Sequence, residues 1–549
     1  MYAIFHTICH LGRHAGLPLH NAPLGSRSCM LLCLIVFCAC TDSFQSYNID
    51  RTGFTEEQQT YDFNRNGIPL RTIQKGIYFN YDWGGSINLP FQFMQNLSAD
   101  MFCGYMHSYD PYNGGLSNTV YNLNDGWNAT MFEYTYGYIM TEIKRSEDLS
   151  RDALPPFYAI TKILKVEVMH RVSDYYGPII YSQFGTSATD IMPDSQKDVY
   201  YAFFDDLREA IDILKHYRDD EKFARFDFLM QPGKRTYSQW IKFANSLRLR
   251  LAVRIAMADS EKAKIEAARS FLPENGGLLE EKDDLVAVST FGSGYVNPLG
   301  EINQTWKAAS MNANMESILV GYQDPRISKY FEFATLEGYR SDYKGIRQGT
   351  GFTHTRYYYH SRLTVTRQTE AVLMTPAEVW FLRAEAALRG WTQEDVEYCY
   401  HKGIESSFSQ WNIAFVEQYR RSELMAQDYI DVFNPDYNID AVCRVSPQWD
   451  SAASDEIKLE KIITQKWIAC FPEGCEAWAE QRRTGYPRLF PVLVNHSNGT
   501  IDTDTMIRRL NFPVGIRYSN PKQYDALCEL LGGLDNGGTR LWWDIGRNF

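Results

Sequence analysis

The stretch QKWIACFPEGCEAWAEQRRTGYPRL, residues 465–489, decides the fold of this chain. Pro472 and Gly474 divide it, and Gly485 and Pro487 close it. On both sides of the division, apolar residues recur at the spacing of a helix with one buried face. Before the division they are Leu459, Ile462, Ile463, Trp467, Ile468 and Phe471, and after it Ala477, Trp478 and Ala479. The stretch therefore predicts a helix, a sharp turn and a second helix.

Helical patterns recur along the chain, and they come in pairs. Residues 375–378, TPAE, have the form of a capping box for a helix that runs to Arg389 and ends at Gly390. A second helix is expected to begin at Thr392. The other predicted helices cover residues 125–144, 155–176, 198–217, 237–258 and 260–272. Such pairs resemble divergent tetratricopeptide-type repeats, in which each pair buries its neighbour's exposed face, and they predict a mainly α-helical fold.

Long polar segments separate the helix pairs. Residues 79–124, 289–314 and 338–370 are rich in Gly, Asn and Tyr. Connections in compact domains are usually only a few residues long, and much longer ones are often functional. These segments are too aromatic for linkers, so we expect one large domain, residues 40–549, in which irregular insertions interrupt the helices.

The composition argues against a nucleic-acid partner. The 549 residues carry a net charge of −12, whereas phosphate binding needs a basic surface. Lys242, Arg248, Arg250 and Arg254 do cluster in one predicted helix. Two explanations remain open for that cluster: a solvated face, or pairing with acidic residues inside the protein.

The N-terminal region has the features of a lipoprotein leader. Residues 30–37, MLLCLIVF, form an apolar run too short to span a bilayer. Ala39 and Cys40 follow it and resemble a lipobox, in which cleavage exposes a cysteine that becomes acylated. We therefore expect residues 1–39 to be a signal peptide and Cys40 to carry the lipid. The long segment before the apolar run indicates either an extended leader or a true start downstream of Met1, and we favour the second.

No motif singles out a catalytic or metal centre. The chain has no HExxH, P-loop, GxSxG or dinucleotide-binding fingerprint. His354 and His360 lie six residues apart in a Tyr-rich loop, which is a weak metal signature. The alternating Asn and Asp residues of 434–440 lack the glycine and glutamate of a calcium loop and predict a turn. Cys470 and Cys475 are expected to be small buried residues.

Several strings resemble the SusD/RagB family of outer-membrane nutrient-binding lipoproteins. Besides residues 465–489, they are HRVSDYYG (170–177), WIKFANSLRLRLAVRI (240–255), DPR (324–326), TPAEVWFLRAEAALRGW (375–391), RRLNFPVGIRYSNP (508–521) and LLGGLDNGGTRLWWD (530–544). They follow the family's order along nearly the whole mature chain. The resemblance implies about four tetratricopeptide-like helix pairs, with the irregular loops forming a ligand face.

The resemblance also implies a function. It indicates a non-catalytic protein, without a cofactor, that is anchored by lipid at the outer membrane and faces the cell exterior. Such a protein binds oligosaccharides and delivers them to a TonB-dependent, SusC-like transporter. The alternatives are a peptide-binding member of the same family and a secreted glycoside hydrolase.

The candidate ligand residues come from the insertions. Sugar binding uses aromatic rings against the pyranose faces and amides or carboxylates for the hydroxyls. The candidates are Tyr81, Trp83, Tyr105, Tyr109, Tyr112 and Asn113 in the first insertion and Tyr295, Trp306 and Asn312 in the second. The third insertion adds the run Tyr357–Tyr359. Trp306 can belong either to the ligand surface or to the core, and both possibilities stay open. The tryptophans expected in the core are Trp127, Trp380, Trp467, Trp478, Trp542 and Trp543.

Overall fold

A computed structural model describes residues 63–79, 90–188, 190–218, 220–350 and 355–549 of the chain. The leader, Cys40, Tyr81, Trp83 and His354 lie outside these described residues. The signal peptide, the lipidation site and the ligand roles of Tyr81 and Trp83 therefore stay predictions.

Eleven α-helices of ten residues or more run through the described part of the chain. They are α1 (Asn64–Gly76), α2 (Thr141–Ser150), α3 (Pro155–Tyr176), α4 (Gln196–Leu214), α5 (Tyr237–Arg254), α6 (Ser260–Ser270), α7 (Pro376–Leu388), α8 (Val396–Gln410), α9 (Asp455–Cys470), α10 (Gly474–Thr484) and α11 (Pro521–Leu531). Shorter α-helices cover Ala99–Phe102, Asp125–Asn128, Thr130–Tyr134, Pro298–Gly300, Ala313–Met315, Ile327–Tyr330, Val416–Arg420 and Val514–Ser519.

Tighter and wider helical turns fill many of the connections. Wider, π-type turns cover Gln92–Asn96, Thr135–Met140, Glu301–Thr305 and Glu316–Val320. The 3₁₀ turns cover Asn113–Gly115, Asn118–Val120, Lys215–Tyr217, Ala224–Phe226, Pro273–Asn275, Lys282–Asp284, Thr355–Tyr359 and Pro435–Tyr437. The last of these confirms the turn predicted within residues 434–440.

The long helices pack as successive pairs. Helix α3 packs on α4, α5 on α6, α7 on α8, and α9 is followed by α10. Between pairs, α4 contacts α5, α5 contacts α7, and α7 contacts α9. This arrangement confirms the mainly helical fold with about four repeat-like pairs.

Local details correct some predicted helix boundaries. The helix predicted over residues 125–144 is broken into short pieces around the wide turn Thr135–Met140; glycine and threonine, which are weak helix formers, recur in it. Helix α8 begins at Val396 after Asp395, whose side chain accepts the Tyr398 N–H and so caps the helix in place of the predicted start.

The capping box predicted before α7 forms only in part. Thr375 Oγ1 accepts the Glu378 N–H at 3.0 Å, as expected. The Glu378 carboxylate, however, accepts hydrogen bonds from Arg250 on α5 at 2.7 and 2.8 Å. Glu378 therefore pairs with the buried Arg250 guanidinium, whereas a complete capping box would have its carboxylate accept the backbone N–H of Thr375.

Two small antiparallel sheets tie the insertions to the helices. Strand β1 (Met106–His107) pairs with β3 (Ser310–Met311), and β2 (Val286–Val288) pairs with β4 (Ala371–Met374). A single bridge joins Ser310 to Arg362. The first sheet thus brings the three predicted insertions together at one place.

The core contains the residues that the helical patterns predicted to be inside. Trp478 and Trp543 are fully buried, and Trp467 and Trp380 are nearly so. Cys470 and Cys475 are buried free cysteines, as expected. Trp542 is half-buried and packs against this core, whereas Trp127 is half-buried outside it, so the assignment of Trp127 to the core is corrected.

Buried ion pairs connect α5, α7, α9 and α10. Arg254 on α5 donates from Nη1 to Glu480 at 2.7 Å and from Nη2 to Glu476 at 2.5 Å. Lys466 on α9 donates to the second oxygen of Glu476 at 2.7 Å. Arg483 on α10 donates both Nη groups to Glu385 on α7 at 2.7 Å. We call these residues, together with Arg250 and Glu378, the buried ionic network.

The network holds the Glu480 carboxylate ionised. Burial acts to raise the pKa of Glu480, but the neighbouring Arg483, Lys466 and Arg254 hold that pKa at about 2. Arg254 and Arg250 thus belong to internal pairs. Lys242 pairs with Asp284 at 3.2 Å and Arg248 with Glu266 at 3.0 Å, so intramolecular pairing explains the basic cluster of α5.

Arg254→Ala is expected to destabilise the fold strongly. The substitution leaves Glu476 and Glu480 buried with fewer partners, and breaking a buried ion pair typically costs about 3–5 kcal/mol. Arg421→Ala is the control, because the Arg421 side chain is 82% exposed and should change the free energy of unfolding by only about 0.5 kcal/mol. Equal denaturant midpoints for the two variants would contradict the role assigned to the network.

Asp100 is a buried carboxyl beside the turn that joins α9 to α10. Its Oδ1 accepts from Gln95 at 3.0 Å, and a Cβ at Gly474 would lie only 2.2 Å from that oxygen. Burial raises the pKa of Asp100 to about 7, although hydrogen bonds from Gln95, Asn96 and the Gly474 backbone act to lower it. The carboxyl therefore prefers its neutral form.

Asp100→Asn is expected to alter the pH dependence of stability. Between the unfolded pKa, about 3.9, and the folded pKa, about 7, the folded wild type binds more protons than the unfolded chain. The wild type therefore loses stability as pH rises through this window, by up to about 4 kcal/mol. Asparagine has no such proton. The free energy of unfolding of the variant minus that of the wild type should therefore rise across this pH window and level off above it. Unfolding at a series of pH values measures that difference, and a constant value would contradict the assignment.

Candidate functional site

The three insertions meet where β1, β3 and Arg362 lie side by side. Met106 pairs with Met311 and His107 with Ser310, and Ser310 also bridges to Arg362. Residues that follow β1 and residues that precede Arg362 therefore lie close together, although about 250 positions separate them in the chain. This junction is the candidate functional site.

Tyr105 anchors the first insertion instead of facing a ligand. It is fully buried, with its ring 5.1 Å from the ring of Trp467 and 5.3 Å from that of Phe471. Its hydroxyl donates to the carbonyl oxygen of Trp467. The prediction that Tyr105 belongs to the ligand surface is therefore corrected, because α9 covers it completely.

Tyr295 and Asn312 are likewise structural. Tyr295 is buried, and its hydroxyl donates to the Tyr78 carbonyl oxygen at 3.0 Å. Asn312 is fully buried, its Oδ1 accepts the Asn314 N–H at 2.9 Å, and its Nδ2 donates to the Met106 carbonyl oxygen at 3.2 Å. Both predicted ligand roles are corrected, since these polar groups hold the second insertion against its neighbours.

The loop after β1 projects Tyr109, Tyr112 and Asn113 outward. Asp110 Oδ1 accepts the Tyr112 N–H at 2.9 Å and closes a tight turn. Tyr112 and Asn113 then adopt φ values of 44° and 46°, followed by two glycines with positive φ. Such conformations cost energy in residues other than glycine and cluster at functional positions. Asn113 is exposed, whereas Tyr109 and Tyr112 are half-buried.

Two groups of rings flank this loop. On one side, Tyr109 packs edge-on against Tyr358 with ring centroids 5.1 Å apart, and Tyr358 contacts the exposed Tyr359 at 5.3 Å. On the other side, Tyr112 meets Trp127 edge-on at 6.1 Å. We call Tyr109, Tyr112, Trp127, Tyr358 and Tyr359 the aromatic surface.

Trp127 was missed as a candidate by the sequence analysis. It stacks on Phe93 with centroids 5.1 Å apart and an interplanar angle of 16°, and both rings are half-buried. Asn124 Oδ1 accepts its N–H at 3.2 Å, so the residue sits in the first turn of a short helix. The polar, turn-favouring residues Asn124, Asp125 and Gly126 before it were the available sequence signal that this turn lies at the surface.

The third insertion divides its tyrosine run between core and surface. Tyr357 is buried, and its hydroxyl donates to the Asp431 carboxylate at 2.9 Å. Tyr358 lies under the guanidinium of Arg362, 4.4 Å from the ring centroid, a distance that suits a cation–π contact. Arg362 also donates to the Lys307 carbonyl oxygen at 2.5 Å, which places the half-buried Trp306 next to the same junction along the chain.

The electrostatics of the site suit non-covalent recognition. Burial raises the pKa of Tyr112 to about 12, so its hydroxyl stays protonated at neutral pH, and it accepts from Gln92 Nε2 at 3.1 Å. Burial lowers the pKa of His107 to about 4 and that of His360 to about 4, so both imidazoles are neutral there. The site offers rings, a hydroxyl, an amide and the carboxylate of Asp110, a set that matches the faces and hydroxyls of a sugar.

Two features, a metal-binding cluster and a membrane-spanning helix, are absent from the described residues. No group of three or more His, Cys, Asp and Glu among them is arranged to hold a metal ion. None of the helices in the described ranges combines the length and the apolar character that crossing a membrane requires.

Solved structures similar to this chain share its fold. A SusD homologue from Bacteroides vulgatus ATCC 8482 is 46% identical, with a TM-score of 0.84, over 89% of this chain and 100% of that one. A chitin-binding SusD homologue from Flavobacterium johnsoniae is 39% identical, also with a TM-score of 0.84, over 88% and 100%. A SusD-like protein from Bacteroides thetaiotaomicron VPI-5482 is 29% identical, with a TM-score of 0.80, over 87% and 99%.

A search of the curated proteins finds no match to the chain. The profile of the SusD-like family, described as SusD and RagB outer membrane lipoprotein, matches residues 46–544. This range includes the helix pairs, the buried ionic network and the junction of the three insertions. The chain belongs to the SusD-like family of outer membrane lipoproteins.

Proposed function

We propose that this protein is a non-catalytic lipoprotein that binds oligosaccharides through the aromatic surface. The observation that carries the proposal is that the first and third insertions, distant in sequence, bring Tyr109 and Tyr358 into edge-on contact on a surface of partly exposed rings. Rings of this kind pack against the apolar faces of pyranoses, while neighbouring amides and hydroxyls bond the sugar hydroxyls. On the same loop, Asn113 supplies an amide, and Asp110 supplies a carboxylate that can accept from a sugar hydroxyl.

Oligosaccharides of N-acetylglucosamine are the ligand class we propose first. The chitin-binding relative from Flavobacterium johnsoniae is 39% identical and is covered over its whole length. An acetamido group adds an amide and a methyl group to each sugar, and both suit a surface of tyrosine and tryptophan. Peptides are the alternative ligand class, and the binding experiment includes them.

Replacing Tyr109 and Tyr112 together with alanine should weaken the binding of an N-acetylglucosamine oligosaccharide. If each ring contributes about 1 kcal/mol, the dissociation constant should rise roughly thirtyfold. The melting temperature should change little, because neither ring belongs to the fully buried core. Titration calorimetry measures binding, and thermal unfolding tests the fold. Trp127→Ala should weaken binding as well.

Tyr518→Ala is the matched control for these variants, because Tyr518 is 78% exposed and its short helix, Val514–Ser519, belongs to none of the three insertions. It should bind the oligosaccharide like the wild type. A double variant that binds as tightly as the wild type would show that the surface is misplaced. Binding of a mixed peptide digest with no binding of any oligosaccharide would favour the peptide alternative.

We further propose that the lipid on Cys40 anchors the protein at the outer membrane, facing the cell exterior, where it delivers ligand to a TonB-dependent, SusC-like transporter. Family membership supports this proposal. The apolar run of residues 30–37, ending at Ala39 and Cys40, supports the anchor. A single acyl chain binds membranes only marginally, so stable anchoring needs more than one.

Cys40→Ala should move the protein from the membrane fraction to the soluble fraction of the producing cells. The wild type, purified from outer membranes in mild detergent, should bring with it a TonB-dependent transporter, since a stable partner is expected to bury more than about 1,000 Å². Membrane retention of the variant would contradict the anchor. Repeated recovery of the wild type alone would contradict the partnership.

A further inference from the structure

A cavity of about 550 Å³ lies beside the C-terminal end of α10, apart from the aromatic surface. The loop after α10, residues 504–508 and the C-terminal segment also line it. Its charged lining consists of Arg482, Arg483, Arg488, Arg508, Arg540 and Asp504. Five arginines and one acidic residue thus line this cavity, in a chain whose net charge is −12.

Most of these arginines have carboxylate partners, but the partners do not balance them. Arg483 is matched by Glu385 and Glu480 of the buried ionic network. Arg508 and Arg540 share one carboxylate, that of Asp544, each at 2.6 Å. Arg488 lies 3.7 Å from Glu460, and its side chain is 59% exposed. The mouth of the cavity therefore carries excess positive charge.

Arg482 is the distinctive group of this cavity. It is only 1% exposed, and its guanidinium stacks 3.6 Å from the Trp478 ring centroid. Its Nη1 donates to the backbone oxygens of Asp174 and Arg508 at 2.6 and 2.8 Å. Its Nη2 has no hydrogen-bond partner among the described residues. The arginines of the buried ionic network, such as Arg254, instead bond directly to carboxylates.

The hydrogen-bond partners of Arg482 are neutral backbone oxygens, which do not neutralise its positive charge. Burial lowers the pKa of Arg482 to about 9, and the partly opposing effect of Asp174 does not restore it. The group is still a cation at neutral pH. A buried cation that bonds only neutral oxygens and keeps a free donor is costly unless an anion approaches it.

The Arg540 guanidinium packs closely against the backbone of Gly546. A Cβ at Gly546, where φ is +75°, would lie 3.1 Å from the Arg540 guanidinium carbon. The absence of a side chain at Gly546 lets the backbone pack against the guanidinium, whose side chain remains 42% exposed. Arg540 can therefore meet a ligand from solvent while Asp544 fixes its position.

We propose that this cavity binds the carboxylate of a small molecule about the size of a monosaccharide. Arginine side chains recognise carboxylates through directed, charge-assisted hydrogen bonds. The exposed Arg488 and Arg540 attract the anion, and Arg482, which lines the same cavity, keeps a buried donor for it. The carboxylate can come from an acidic sugar or from a simple organic acid.

Titration calorimetry on the purified protein with glucuronate, citrate and glucose tests the proposal. Glucuronate, citrate or both should bind, and glucose should not. Arg540→Gln combined with Arg488→Gln should weaken binding about tenfold or more; both side chains are exposed, so the fold should survive. Arg421→Gln, at a side chain that is 82% exposed, is the control. Raising the salt from about 0.05 M to about 0.3 M should also weaken binding.

The outcomes separate the two sources of the carboxylate. Binding of glucuronate alone identifies an acidic sugar, binding of citrate alone identifies an organic acid, and binding of both identifies the carboxylate itself as the recognised group. No binding of either acid at about 10 mM, or equal binding by the double variant and the wild type, would overturn the proposal. Tyr109→Ala with Tyr112→Ala should leave the binding of these acids unchanged, which keeps this test independent of the oligosaccharide site.

Discussion

The fold depends on opposite charges that are buried between its helix pairs. Arg254 on α5 holds both Glu476 and Glu480 on α10, and Arg483 links α10 to Glu385 on α7. Taking such groups out of water is expensive, and only near-complete pairing offsets the cost. The relative placement of the helices is therefore restricted, because a shift of one turn would leave a charge without its partner. Apolar packing alone would tolerate more variation.

The strings that identify the family are the strings that build this network. Residues 465–489 supply Lys466, Glu476, Glu480 and Arg483, and residues 240–255 supply Arg250 and Arg254. Glycine is required at 474 because the Asp100 side chain occupies the space of its Cβ. The strings that carry the family resemblance thus contain charged side chains that must meet one another and a glycine that must lack a side chain.

The sequence was informative where the interactions are local and much less so where they are distant. Periodicity and capping predicted α3 at its observed bounds and α5 to within a few residues. Composition predicted which segments would carry exposed rings, but not which rings. Tyr105 and Tyr109 lie in the same insertion, yet Trp467, more than three hundred positions away, buries the first. Trp127 has a core-like sequence context, yet in the structure it is half-buried and stacks on the half-buried Phe93.

The buried tyrosines and amides give the irregular loops a fixed base. Tyr105 ties the first insertion to α9, Tyr295 ties the second to the segment after α1, and Asn312 joins the first two insertions. Each contact uses a backbone carbonyl oxygen as acceptor, so it constrains the partner's conformation but not its side chain. The loop ends, where Tyr109, Tyr112 and Tyr359 lie, are then free to differ while their bases stay in place. A rigid helical stack can in this way present a ring surface whose ligand is set by a few loop residues.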